Sequence, residues 1–282
     1  GKTMIMQSAA LSIIVRRAIW GCVDFRVSTF CRVLHVDLDN GAPPALKRYR
    51  RLIAGMGITA EDFACSANAL GCEVPDLLRF EDKPADLRLT SLDPGELRRF
   101  ESAWTEHLQG FGFAIVDSLR KLGPLLDEND SRFAGILDAL RTASERTGCT
   151  VVLLQHTGKS GGEGGRGSKP RPGNQAGRGS SGIDGDAGST LLIEIENPDD
   201  PGVEQRRKVR HTKASVDSEG SPIPPFYLPF HDGDPQIVPR PLAVLYRTPE
   251  QVKPAVEGDK IDEIKRRVLA AVAWWRLSAA PR

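Results

Sequence analysis

With 282 residues, 40% apolar and 27% charged, the chain can bury a substantial core, which excludes a disordered or fibrous protein. Its net charge of +1 leaves a nucleic-acid partner open, because a local basic surface can hide inside a balanced total. Five cysteines (Cys22, Cys31, Cys65, Cys72 and Cys149) form no C-x-x-C pair, so their spacing argues against a disulfide framework and a zinc site.

The chain starts Gly1-Lys2-Thr3, without Met, and matches the last three positions of the phosphate-binding pattern G-x-x-x-x-G-K-[ST]. The expectation is a chain truncated inside that loop, lacking the leading glycine and the strand before it. Residues 3–19 hold no Pro or Gly and are rich in Ala, Ile, Leu and Met, which predicts a helix launched from the loop and buried beside a sheet. The apolar stretch from Met4 to Val15 is too short to span a bilayer, and no signal sequence is visible. The expected location is cytoplasmic, with no membrane partner.

Arg32 to Asp37 reads as a strand, a short β-branched run ending in acid. After Asn40-Gly41, Pro43 and Pro44 open a helix with Leu46, Tyr49, Leu52 and Ile53 on one face and Lys47, Arg48, Arg50 and Arg51 on a solvated one. Residues 57–92 read as irregular. Asp93-Pro94-Gly95-Glu96 then starts a helix, with Asp as N-cap, Pro at the first position and Glu three after the cap. Leu97, Phe100, Trp104 and Leu108 follow at helical spacing, and Phe113 to Asp117 forms a second strand ending in Asp.

A further helix is expected from about Ser131, with Phe133, Ile136, Leu137, Leu140 and Ala143 inward and Gly148 as its stop. Thr150 to Gln155 is a third strand, apolar enough for a sheet covered on both faces. Residues 157–188 are dense in Gly, Ser and Arg and read as a flexible loop. Leu191 to Glu196, Lys208 to Thr212 and Phe226 to Phe230 read as antiparallel strands.

Strands alternating with helices predict an α/β fold with a mostly parallel sheet flanked by helices, plus extra antiparallel strands toward the C-terminal end of the core. The expected organisation is a core over 1–233, a Pro-rich link over 234–257 and a C-terminal helix over 258–282. That helix would place Ile261, Ile264, Val268, Val272 and Trp275 on one stripe and open a helical or winged-helix module.

Asp39, Asp117 and Gln155 each fall at or just beyond a strand end, the edge where ligands sit in open parallel sheets. The loop brings Gly1, Lys2 and Thr3 to the same edge, where backbone N–H groups favour a polyanion. In that geometry Lys2 neutralises the terminal phosphates of a nucleotide, Thr3 ligates Mg²⁺, and Asp117 holds the ion's hydration shell. Asp39 orients or deprotonates the attacking water, and Gln155 senses the terminal phosphate. Gly158-Lys159-Ser160 imitates the loop, but the required earlier glycine is replaced by Leu153.

In the stretches Arg32 to Asp39, Ile115 to Arg120, Asp127 to Asp130, Val151 to Lys159, Arg178 to Ser181 and Arg210 to Lys213 the chain resembles the RecA-like hexameric ATPases, and among them the RepA-type helicases and related AAA-family ATPases. The resemblance implies a ring, a homo-hexamer, in which a neighbouring subunit completes each site. It also implies that Arg178 is the trans-acting arginine finger and that Lys213 sits where a second trans-acting cation is found. Two departures stand out: the family places Glu where this chain has Asp39, and often His-His where it has Gln155-His156.

Lys159, Arg166, Lys169 and Arg171, together with Arg178, have two readings: a pore lining that holds single-stranded DNA by backbone charge, or a solvated insertion. The run carries no aromatic residue, which removes base stacking from the first. The ATPase reading likewise has two alternatives, a regulatory or scaffold ring without unwinding and a degenerate nucleotide-binding interaction module.

Overall fold

A computed structural model describes residues 1–126, 134–156, 187–196, 206–213, 223–233, 240–251 and 269–275. In chain order its helices and strands are α1 (Lys2–Ile14), β1 (Val33–Asp37), α2 (Ala42–Gly55), α3 (Ala60–Leu70), β2 (Leu78–Asp82), α4 (Pro94–Leu108), β3 (Phe113–Asp117) and α5 (Leu119–Leu122). They continue with α6 (Ala134–Thr147), β4 (Thr150–His156), β5 (Ser189–Glu196), β6 (Arg206–Lys213), β7 (Phe226–Tyr227), β8 (Phe230–Asp232), β9 (Leu242–Val244) and β10 (Leu269–Trp275).

Eight strands form one sheet in the order β2-β1-β3-β4-β10-β5-β6-β7. The first four are parallel, with Val33 opposite both Leu78 and Phe113, and Phe113 opposite Thr150. From β10 onward the pairing is antiparallel, and β8 and β9 form a separate pair. This is the α/β architecture that the alternating pattern predicts.

Side-chain alternation splits the core into two layers. Val33, Phe113, Ile115, Val152 and Leu154 pack with α1 and with Tyr49 and Leu52 of α2. Leu34, Val36, Ala114, Val116, Val151 and Leu153 pack with Phe100 and Trp104 of α4 and with Ile136, Leu137 and Leu140 of α6. Because α1 is covered on all sides, its polar members need internal partners. Gln7 supplies one, donating to the Ala45 carbonyl at 3.2 Å and joining α1 to α2.

Several local signals act as their residues dictate. Asp93 caps α4 by accepting from the N–H groups of Gly95 and Glu96, both at 3.0 Å. Gly148 ends α6 at φ +72°, a conformation that glycine adopts without strain.

Five expectations need correction. The first helix stops at Ile14, since Arg16 and Trp20 take positive φ and turn the chain back over α1. Leu46 is 41% exposed; the buried face of α2 is Ala45, Tyr49 and Leu52. Residues 57–92 are not irregular, for Thr59 and Asp62 form a reciprocal capping box that starts α3, and β2 joins the parallel sheet at its edge.

The expected link over 234–257 contains β9, whose Leu242 and Val244 are buried beside α2. Residues 269–275 of the expected C-terminal helix are the strand β10, paired on both sides. A short apolar run suits either element by pattern alone, and the backbone edges of β4 and β5 decide here for strand. Ile261, Ile264 and Val268 lie outside the described residues.

Candidate active site

The parallel strands deliver two acids in register: Asp37 ends β1, Asp117 ends β3, and their Cα positions are paired. On the next strand Leu154 lies opposite Asp117, so Gln155 and the strand end come to the same rim. The first turn of α1 also begins there. Lys2 Nζ donates to the main-chain carbonyl of Gln155 at 2.8 Å, and Thr3 Oγ1 donates to Asp117 Oδ2 at 2.5 Å. Lys2, Thr3, Asp117 and Gln155 therefore meet, although Lys2 is met by the backbone of Gln155.

No side chain caps the first turn of α1 and none of its residues there is acidic. The N–H groups of that turn and the positive end of the helix dipole favour an anion beside Lys2. Burial pushes the Lys2 amine down to about 8, against the opposing pull of Asp117 and Asp39. Burial likewise raises the Asp117 carboxyl above its ordinary value; the Thr3 hydrogen bond and Lys2 oppose the shift, while Asp37 and Asp39 add to it. The site thus holds a buried carboxylate beside a half-buried amine, with Asp37 and Asp39 adding negative charge on the side of Asp117.

The Thr3 hydroxyl and the Asp117 carboxylate are hard oxygen donors of the type that suits Mg²⁺. Among the described residues there is no group of three or more His, Cys, Asp or Glu able to hold a metal. Mg²⁺ characteristically takes one or two protein oxygens together with substrate phosphates, so these two side chains suffice as the protein's share.

Asp39 lies in the turn after β1, 35% exposed, with Oδ1 3.5 Å from Lys121 Nζ on α5. Two neighbours of the site have no role assigned from sequence, Lys121 and Asp37. Asp37 is fully buried, and its Oδ1 accepts from the main-chain N–H groups of Asp39 (2.9 Å), Asn40 (2.7 Å) and Gly41 (3.3 Å). Gly41 closes this turn at φ +85°, a conformation that an L side chain rarely adopts. A strand ending in acid was the available signal, but it does not distinguish Asp37 from Asp39.

Lys213 closes β6 opposite Thr190, on the far side of β10 and β5 from β4. Arg178, Lys159, Arg166, Lys169 and Arg171 lie outside the described residues. No helix among the described residues is long and apolar enough to cross a membrane.

Parallel strands ending in a carboxylate, with a Lys-Thr helix start bonded to the rim they form, are the arrangement found in P-loop nucleotide-binding α/β domains. The chain belongs to the AAA domain family, whose model matches residues 1–162, more than half of its length. Membership makes it an ATPase of the P-loop kind and implies nucleotide binding, usually with Mg²⁺. Comparison with the curated proteins returns no match.

Proposed function

We propose that this protein hydrolyses ATP with Mg²⁺ as a RecA-like ring ATPase acting on DNA, of the RepA-like helicase or remodelling type. The observation that carries the reading is the 2.5 Å contact of Thr3 with Asp117 beside the half-buried Lys2. Lys2 neutralises the terminal phosphates, and the α1 N-terminus orients them. Thr3 and Asp117 would hold Mg²⁺, which when bound supplies charge neutralisation at the phosphates. Asp39 orients the attacking water and takes its proton, and Gln155 reports the loss of the terminal phosphate.

Arg178 and Lys213 act in trans in a homo-hexamer, and Lys159, Arg166, Lys169 and Arg171 contact single-stranded DNA; both assignments rest on the resemblance and on charge. Steady-state ATP turnover of the full-length protein with and without single-stranded DNA tests this reading. Stimulation by DNA is expected, and turnover indifferent to it contradicts the DNA role.

A second reading, a regulatory ring that turns over slowly, draws on the shorter reach of Asp39 and its ion pair with Lys121. In that case ATP binds, turnover stays low with or without DNA, and no strands separate.

A further inference from the structure

We infer that Asp37 is a positioning residue for hydrolysis, which acts by holding the turn that presents Asp39; the inference rests on the ATPase reading above. A fully buried carboxylate with no ion pair among the described residues is an expensive side chain to keep. Asp37 is retained with one oxygen saturated by three consecutive main-chain N–H groups, those of Asp39, Asn40 and Gly41. These are the residues of the turn that carries Asp39, and the side chains of Asp39 and Asn40 lie at the surface, where Asp39 meets Lys121 at 3.5 Å. Charge-assisted bonds to backbone N–H groups are the strong kind, so one carboxylate can fix a turn that sequence alone leaves loose.

The anchor is also tied to the Asp117 strand. The N–H of Leu38 donates to the Asp117 carbonyl at 2.5 Å, and on the other side the N–H of Lys83 donates to the Asp37 carbonyl at 2.9 Å. Asp37 Oδ2, which has no hydrogen-bond partner among the described residues, lies on the strand position paired with Asp117. Asp37 thereby sets the position of Asp39 relative to Asp117, the carboxylate bonded to Thr3. It need not touch nucleotide to matter. A backbone displacement of the 39–41 turn moves the Asp39 carboxylate while leaving Lys2, Thr3 and Asp117 in place.

A double-mutant cycle on the full-length protein tests this. Asp37→Ala is expected to lower kcat roughly 10- to 100-fold, the scale of loss that follows a misplacement of about 1 Å. ATP affinity should hold, and Asp37→Asn, which keeps the acceptor oxygen and the shape, should recover most of the rate. In an Asp39→Ala background, Asp37→Ala should cost nothing further. Amide exchange at residues 39–41 should accelerate in Asp37→Ala and stay slow in Asp37→Asn.

An equal loss of kcat in both backgrounds, or a loss of affinity matching the loss of kcat, overturns the inference. Where Asp37→Ala does not fold, the cycle is run with Asp37→Asn. A small loss confined to the Asp39 background is then expected, and an equal loss without Asp39 overturns it. Wild-type protein that binds ATP without turning it over would sink the ATPase reading instead. Protection of the 39–41 amides would still decide whether Asp37 holds the turn.

Discussion

Thr3 Oγ1 donates to Asp117 Oδ2 at 2.5 Å, tying the first turn of α1 to the end of β3 across 114 positions of sequence. The hydroxyl is needed both for this bond and as a hard ligand, so its chemistry and not its size should govern function. Thr3→Ser is predicted to retain most of the Mg²⁺-dependent ATP turnover, whereas Thr3→Val, equal in shape, should lose roughly 100-fold. Comparable rates for the two variants would remove Thr3 from the site.

Asp117 carries a testable conflict between stability and function. Burial raises its pKa above the unfolded value, so the unfolded chain releases this proton at lower pH than the folded one. Stability contributed by the group therefore falls as pH rises between the two values, and above both the cost is fully present. Asp117→Asn removes that cost and should raise Tm at pH 7 without nucleotide while abolishing turnover. The gain in Tm should shrink toward acid pH. A variant that melts lower at pH 7 would show that the Thr3 and Lys2 contacts outweigh burial.

For Lys2 the sign runs the other way. Burial holds its amine near 8, below the ordinary 10.5, so the proton needed for phosphate binding is lost in a mildly alkaline range. Nucleotide affinity should weaken as pH climbs above about 8, and calorimetric titration across pH 7 to 9.5 reads it directly. An affinity flat over that range would mean that Lys2 does not neutralise the phosphates.

Asp39 reaches one methylene less far than the Glu that the resemblance would place there. Asp39→Glu is predicted to raise kcat several-fold at unchanged KM, because only the step that activates water is affected. A fall in kcat would show that the turn held by Asp37 and the pair with Lys121 are fitted to the shorter acid.

Much of this site is legible in the sequence because strand ends and a loop-launched helix are constrained to one rim of a parallel sheet. Lys2, Thr3 and Asp117 follow from that rule without any knowledge of side-chain contacts. Asp37 does not, since two acids two residues apart look equivalent until the backbone of the turn shows which is buried beneath it. Lys121 sits on a helix of only four residues, too short to leave a periodic signal.

The capping box of α3 uses Asp62 where Glu or Gln is the usual mark, and its helix buries only Ser66 and Ala67. β2 mixes charged and apolar residues because it lies at the sheet edge with one side open. The run that becomes β10 is apolar throughout, and only its neighbours decide between helix and strand.

The account depends most on a triphosphate held between Lys2, Thr3 and Asp117, and phosphate release by full-length protein against its Lys2→Ala variant tests it most directly. Wild-type protein should hydrolyse ATP with Mg²⁺, and the variant, folded to the same Tm within a few degrees, should fall by at least ~100-fold. Equal rates in the two proteins would contradict the account.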